Sequence, residues 1–338
     1  MFETKYHLED LGKYNFLVTG GAGFIGSNLA EYLLIYGAKK VRVLDNLSTG
    51  LYSNIQAFEK NNTFEFINGD IRNLSVCNSA VNNIDIVFHQ AALGSVPRSI
   101  SDPVTTNDVN ISGSLNMLVA SRDANVKRFI YAASSSTYGD SVEMPKFEER
   151  IGKPLSPYAI TKYINELYAD VFSRIYGIEA IGLRYFNVFG RNQSPEGAYA
   201  AVIPKFVIQL INHISPVIFG DGEHSRDFTY IENVIQANML AAFTQNPQAI
   251  NTVYNVAFGQ KNTLNQLTNH LKEILSEYDQ SINDIEIKHG PDRAGDIPHS
   301  LASIQKSRLL LGYKPLYDLK SGLKEAVKWY WENLKIYK

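Results

Sequence analysis

Tyr158 and Lys162 stand four residues apart in Ser156-Pro157-Tyr158-Ala159-Ile160-Thr161-Lys162. On a helix that spacing puts a phenol and an ammonium on one face, where the positive charge favours phenolate and makes the phenol a usable base near neutral pH. Upstream lies Gly20-Gly21-Ala22-Gly23-Phe24-Ile25-Gly26. Gly20, Gly23 and Gly26 are spaced for a tight turn, for close approach of a pyrophosphate to backbone amides, and for close packing of a helix on a sheet. The amino end of that helix would face two phosphates. Asp45, nineteen residues past Gly26, can accept from both hydroxyls of an adenosine ribose. A 2′-phosphate would meet like charge there, so NAD is favoured over NADP. A dinucleotide cradle with a phenol base predicts hydride chemistry at an alcohol carbon.

Four consecutive hydroxyl residues, Ser134 to Thr137, follow the apolar run ending Ala132-Ala133. One serine could hold a sugar hydroxyl while the Tyr158 oxygen removes its proton. Lys162 would lower the phenol from its ordinary value of about 10 and also bind the nicotinamide ribose hydroxyls. Asp70 and Ile71, just past a strand, lie where a carboxylate and an apolar wall could grip an adenine.

These groups need elements to position them. Tyr14 to Thr19 reads as a buried strand ending in the glycine turn, Ser27 to Leu34 as a helix, and Val41 to Asp45 as a second strand, which makes one βαβ unit. Further strands are expected at 64–67, 84–88, 128–132 and 180–183, with helical patterns at 75–81, 113–124 and 158–175. The alternation predicts an α/β fold whose parallel sheet is covered on both faces. Beyond Asn187 the rhythm loosens, and the run from Gly190 to Gly197 signals a loop. Helices at 231–243, 264–278 and 319–334 and short strands at 217–219 and 253–256 suggest a second lobe over the carboxyl edge of the sheet.

Length allows a large α/β core plus a smaller lobe, and 32 basic against 34 acidic residues recommend no nucleic-acid partner. Cys77 is the one cysteine, which excludes an internal disulfide and a cysteine-built zinc site and fits a reducing compartment. The opening decapeptide lacks a signal-peptide core, and no stretch approaches the roughly 20 apolar residues of a membrane span. A soluble, cytoplasmic protein with no membrane insertion is expected. The histidines show no metal-ligand spacing, and His89 reads as a packing or hydrogen-bonding residue.

The chain resembles the extended short-chain dehydrogenase/reductase family over nearly its whole length. His89-Gln90-Ala91-Ala92, Tyr158 with Lys162, Leu183 to Gly190, and Arg226-Asp227-Phe228-Thr229-Tyr230-Ile231 look like its nucleotide-sugar 4-epimerase branch. Gln90 to Ser99 and Gly197 to Pro204 are similar to bacterial UDP-N-acetylglucosamine 4-epimerases of surface-polysaccharide pathways. The resemblance implies a Rossmann-type doubly wound parallel sheet with a smaller C-terminal substrate-binding lobe. Residues 1–187, with parts of 215–260 returning to them, would hold NAD, and 188–338 would mainly hold the UDP-sugar. The catalytic hydroxyl falls on Ser134, with Ser135 a close competitor in register.

The same resemblance implies cofactor contacts at Phe24 and Ile25 within the glycine run, at Asn46, Ser48, Thr49 and Gly50 after Asp45, and at Gln90, Ala91, Ala92, Tyr185 and Val188. Asn110 would support the cofactor from the fourth crossover helix. Substrate contacts would be Gly94, Ser95, Ser134, Ser136, Asn187, Ala201, Val202 and Phe219, with Arg226 and Arg293 on the diphosphate and Asp296 on the uridine ribose. Related 4,6-dehydratases carry an Asp-Glu pair where this chain has Ser135 and Ser136, so dehydration lacks its acid and base. Epimerases restricted to unacetylated hexoses carry a tyrosine where Ser300 stands, and losing that ring opens space for an N-acetyl group.

The expected reaction is reversible interconversion of UDP-N-acetylglucosamine and UDP-N-acetylgalactosamine through a 4-keto sugar with NAD kept bound, together with some activity on UDP-glucose and UDP-galactose. The alternatives are the same inversion on a UDP-N-acetylhexosaminuronate, or an NAD-binding sensor or scaffold without catalysis. Helical stretches at 104–124 and 158–176 resemble those that pair as a four-helix interface in homodimers of this family.

Overall fold

The computed structural model describes residues 2–195, 201–291 and 298–334. In chain order its strands are β1 (Asn15–Thr19), β2 (Lys40–Asp45), β3 (Phe64–Asn68), β4 (Ile86–His89), β5 (Arg128–Ser134), β6 (Ala180–Tyr185), β7 (Val188–Phe189), β8 (Val217–Phe219), β9 (Ser225–Arg226), β10 (Thr229–Tyr230), β11 (Thr252–Val256), β12 (Asn262–Thr263) and β13 (Lys288–Gly290). Seven of them form one sheet in the order β11-β6-β5-β4-β1-β2-β3, and every neighbouring pair is parallel. The short strands pair as β10 with β7, β12 with β9 and β13 with β8.

Alternation along β1 shows why the sheet is covered twice. Phe16 and Val18 enter one core with Leu29, Tyr32 and Leu33, whereas Leu17 enters the other with Cys77, Met117 and Phe172. Strands buried on both faces read as continuous apolar runs, and β4 and β6 are buried at every position.

The helices are α1 (Phe24–Ile35), α2 (Leu74–Ala80), α3 (Val96–Ser101), α4 (Pro103–Asn107), α5 (Ser114–Asp123), α6 (Pro157–Tyr176), α7 (Val202–Ile211), α8 (Ile231–Phe243), α9 (Leu264–Ser276), α10 (Gln305–Leu311) and α11 (Leu319–Leu334). α1 begins three residues before the expected Ser27, directly on the glycine turn. The pattern expected as one helix over 104–124 is divided: α4 runs into a π-helical turn, Asp108–Gly113, and then α5. Helix α7 was not anticipated, because the Gly, Pro and Asn before it read as loop. Its buried Ile203, Phe206, Val207 and Leu210 follow one helical face, and Pro204 stands in the first turn, where no backbone donor is missed. α7, α9 and α11 pack on one another to build the second lobe. Among the described residues no helix is long and apolar enough to cross a membrane.

Candidate active site

The order of strands reverses between β1 and β4, and the crevice outside their carboxyl ends is where an open parallel sheet takes its ligand. A cavity of about 390 Å³ lies there. Gly20 sits at φ +66°, a left-handed conformation, and a Cβ on it would stand 2.7 Å from Ala91 N. A Cβ on Gly26 would stand 2.2 Å from Gly20 O. The first turn of α1 therefore lies flush on the turn that precedes it, and its Phe24, Ile25 and Gly26 line the cavity with Gly20 and Gly23.

Asp45, at the end of β2, accepts from Ala22 N at 2.9 Å and Leu47 N at 2.8 Å, one bond on each carboxylate oxygen. Each oxygen keeps a lone pair for a further donor. Burial raises its pKa and the two amides oppose that. Asn46, Ser48, Thr49, Asp70 and Ile71 complete this wall. Asp70 is held by Arg72 through a bidentate pair and by Asn46 Nδ2 at 2.9 Å, and the Arg72 hydrogen bonds bring its pKa down to about 2. Gly50 is buried against Ala22 and Asp45 and is not among the cavity's lining residues.

The opposite wall follows β4. Gln90, Ala91, Ala92 and Gly94 line the cavity, and His89 fixes them from behind. Thr19 Oγ1 accepts from Ala91 N at 3.3 Å and shares a hydrogen bond of 2.7 Å with His89 Nδ1. The other ring nitrogen shares a hydrogen bond of 2.9 Å with Ser114 Oγ. Burial keeps this imidazole neutral, with a pKa near 3. Burial pushes the Tyr185 phenol up to about 12, opposed by Asn238 and more weakly by the nearby Gln90, neither of whose amide atoms has a protein partner at hydrogen-bond distance. Asn110, in the π turn, exchanges bonds of 2.8 and 3.2 Å with the Leu93 backbone and donates to Thr161 Oγ1 at 3.1 Å. It ties the wall to α6 without lining the cavity itself.

Helix α6 is capped by the Ser156 side chain on Ala159 N, carries Pro157 at its start, and ends at Gly177 in the left-handed region. Tyr158 and Lys162 share its inner face and both reach the cavity beside Ala132, Ala133 and Ser134 of β5. Ser134 Oγ accepts from Ser136 N at 3.1 Å and from the Ser136 hydroxyl at 2.8 Å, which leaves its own hydrogen for Tyr158. Ser135 does not line the cavity. Lys162 Nζ donates to Ala132 O at 2.7 Å and lies 5.9 Å from the Tyr158 ring centre.

The electrostatics differ from the expectation that Lys162 lowers the phenol. Burial pushes the Tyr158 pKa up, against the Ser134 hydrogen bond, and brings Lys162 down to about 8. In a low-dielectric pocket the charged form of each group is disfavoured before any ligand enters. Beneath them a buried ion pair locks α6 to the sheet: Arg184 of β6 meets Glu166 in two parallel bonds of 2.8 and 2.7 Å.

Tyr185, Asn187 and Val188 close the carboxyl end of β6 and line the cavity. Asn187 adopts φ +35° and donates through Nδ2 to Asp227 O at 3.2 Å. The remaining substrate candidates stand outside the cavity's lining. Ser95 caps α3 through Arg98 N, and Ala201 and Val202 begin α7. Phe219 ends β8 and is half exposed. Arg226 of β9 donates to Ser225 O and Pro298 O, and Ser300 N donates to Ser225 O at 3.0 Å. Arg293 and Asp296 lie outside the described residues. Sequence reasoning passed over Leu44, Gly69, Leu93, Val109, Ala132 and Ala133, which also line the cavity. Their one signal is a place within a residue or two of a strand end or motif. Among the described residues no three His, Cys, Asp or Glu side chains gather to hold a metal ion.

A parallel sheet of this order, a glycine turn flush against a helix, and a cleft at the switch point define a Rossmann-type dinucleotide-binding protein. The cleft fits such a cofactor: side chains at Gly20 or Gly26 would collide with the backbone that shapes the cradle, and Gln90 lines the cleft with a buried amide. The chain belongs to the NAD dependent epimerase/dehydratase family, whose description matches residues 16–257. It is an NAD-dependent epimerase by class.

A putative UDP-glucose 4-epimerase of Methanocaldococcus jannaschii is 37% identical over 320 residues, which span 94% of this chain and 98% of that protein. The structure of a UDP-N-acetylglucosamine 4-epimerase from Methanobrevibacter ruminantium in complex with UDP-N-acetylmuramic acid is 41% identical, with a TM-score of 0.86, covering 94% of this chain and 98% of that one. That of a Thermotoga maritima UDP-glucose 4-epimerase with UDP-glucose is 37% identical, with a TM-score of 0.86, covering 95% and 99%.

Proposed function

We propose that this protein is a nucleotide-sugar 4-epimerase that interconverts UDP-N-acetylglucosamine and UDP-N-acetylgalactosamine, accepts UDP-glucose and UDP-galactose as well, and serves the synthesis of a surface polysaccharide. The observation that carries the reading is the meeting of Ser134, Tyr158 and Lys162 on one wall of the dinucleotide cavity. Residues 1–187, with part of 215–260, hold NAD, and 188–338 mainly hold the UDP-sugar.

Asp45 would hold the adenosine ribose of NAD and the Gly20–Gly26 turn its pyrophosphate, and the bound cofactor would supply an acceptor for the hydride from the sugar C4 and a donor for its return. Ser134 orients the sugar 4-hydroxyl by exchanging for it the hydrogen bond it takes from the Ser136 hydroxyl, while its own hydrogen stays on Tyr158. Tyr158, as the phenolate that the positive charges of Lys162 and of bound oxidised nicotinamide would favour over the neutral phenol of the NAD-free pocket, takes the proton from that hydroxyl as the 4-keto sugar forms, and gives it back after the sugar has turned over about its diphosphate link. Lys162, anchored on Ala132 O, keeps two N–H groups for the ribose hydroxyls and for holding the proton balance of Tyr158. Ser135 and Ser136 provide no acid and base for loss of water, which separates the reaction from dehydration. Arg226 and Arg293 take the diphosphate, Asp296 the uridine ribose, and Asn187 a diphosphate oxygen or a sugar hydroxyl.

Ser300, whose N–H is bonded to Ser225 O, supports the N-acetyl assignment, because a serine is smaller than the tyrosine that stands at this place in epimerases restricted to unacetylated hexoses. The test is product analysis with UDP-N-acetylglucosamine, UDP-glucose and the two corresponding uronates, in wild type and Ser300→Tyr. Turnover of both neutral sugars, with the acetylated one lost selectively in Ser300→Tyr, is expected. Turnover of the uronates alone overturns the substrate assignment, and NAD binding without any turnover overturns the enzyme.

A homodimer through α6 is part of this reading. Ile160, Leu167, Val171 and Ile175 form an exposed apolar stripe on α6, and the adjoining α3 and α4 add exposed Val96, Ile100 and Val104. A stripe of this kind is covered by the same stripe of a second copy across a twofold axis.

A further inference from the structure

We infer that Asp227 is a positioning residue that sets the nucleotide-sugar-binding loops against the cofactor domain; the inference rests on the assignment of Arg226 and Ser300 to substrate. Asp227 is fully buried, and no lysine or arginine pairs with it among the described residues. It is instead a collector of backbone amides from separate loops. Oδ1 accepts from Phe258 N and Gly259 N, each at 3.2 Å, and Oδ2 accepts from Gly259 N at 3.1 Å and Ala302 N at 3.2 Å.

Each of these loops leads to the candidate site. Phe258 and Gly259 follow β11, the edge strand of the main sheet, and run into β12, which pairs with Arg226 through Asn262. Ala302 lies two residues beyond Ser300, whose own N–H is fixed on Ser225 O. The Asp227 carbonyl accepts from the side chain of the cavity-lining Asn187. One carboxylate thus joins the sheet edge, the arginine strand and the Ser300 segment. An Asn side chain has the same shape but only one acceptor oxygen, and its NH2 would face an amide donor. The loops would then lose their common anchor while the Gly20–Gly26 cradle and the Tyr158 wall keep theirs.

The experiment compares Asp227→Asn and Arg226→Gln with wild-type holoenzyme for KM and kcat on UDP-N-acetylglucosamine and for NAD released per chain on denaturation. For Asp227→Asn the expected result is a KM raised about tenfold or more, with kcat within about threefold and NAD content unchanged, a split that general misfolding does not produce. If Arg226→Gln raises KM and Asp227→Asn leaves it within about twofold, the inference fails and the site assignment stands. If Arg226→Gln leaves KM unchanged, the assignment of the lobe fails and the inference with it. Should Asp227→Asn not fold, amide exchange of the wild type decides. UDP is expected to slow exchange at 258, 259 and 302 and not at 20–26, and an unchanged rate at those three amides overturns the proposal.

Discussion

Gly26→Ala tests whether the cradle works by backbone contact. The new methyl would sit 2.2 Å from Gly20 O, about 1 Å inside ordinary van der Waals contact, and 2.7 Å from Gly21 Cα, with no flexible side chain to yield. Forcing an extra carbon into a packed backbone junction costs on the order of 1–3 kcal/mol. If half or more of that strain falls on the geometry of the amides that face the pyrophosphate, NAD binding weakens by roughly 2- to 150-fold. Gly23→Ala is the matched comparison, because its Cβ would meet only Gly20 O, at 3.1 Å. There the protein has little to displace, so any loss comes from the methyl standing in the path of the phosphates. The assay is thermal unfolding of NAD-stripped protein together with NAD titration. Gly26→Ala should lower both the melting temperature of the stripped protein and the affinity, whereas Gly23→Ala should lower affinity alone. A stripped Gly26→Ala protein that melts with wild type and binds NAD equally well refutes the contact argument.

Other outcomes follow from the same geometry. With the Tyr158 pKa raised by burial, the NAD-free protein should show no phenolate absorbance assignable to Tyr158 at pH 8, judged against Tyr158→Phe. That variant should keep NAD and lose about 10²- to 10⁴-fold in turnover, and a phenolate present without NAD contradicts the reading. Burial lowers the folded pKa of Lys162 to about 8 from the ordinary 10.5 of a lysine, so the native state binds fewer protons than the unfolded one between those values. Its contribution to stability therefore rises from pH 8 toward 10.5, while the ammonium available to a ribose is lost over the same range. Stability of NAD-free wild type minus Lys162→Met, followed by denaturant titration, should show that slope, and a flat difference counts against it. Glu166→Ala strands the Arg184 guanidinium under α6 and should cost about 3–5 kcal/mol in urea unfolding; a loss near zero would mean water replaces the carboxylate. Leu167→Glu, in the middle of the exposed α6 stripe, should halve the mass seen by light scattering, and an unchanged mass removes α6 from the interface.

The sequence by itself determined whatever is local or periodic. Apolar runs at strand length marked β1 to β6, and the glycine spacing marked the cradle, because a turn of that tightness is set by neighbouring residues alone. The i,i+4 placement of Tyr158 and Lys162 needs only a helix, and Ser156-Pro157 supplies its cap. What depends on chain segments far apart was left to the tertiary structure. Ser134 was separated from Ser135 by the bonds it takes from Ser136 and by the approach of α6. The upward pull on Tyr158 comes from burial, which no spacing reports, and it opposes the effect inferred from the lysine's charge. Likewise α7 was hidden in a loop-like composition, because its stability comes from Ile203, Phe206 and Leu210 packing against α9 and α11. Asp227 looked like one more polar residue in a motif, and only the convergence of 258, 259 and 302 around it showed what its carboxylate holds. Local chain geometry can be read from neighbours in sequence, but desolvation and long-range hydrogen bonds exist only once the chain has closed on itself.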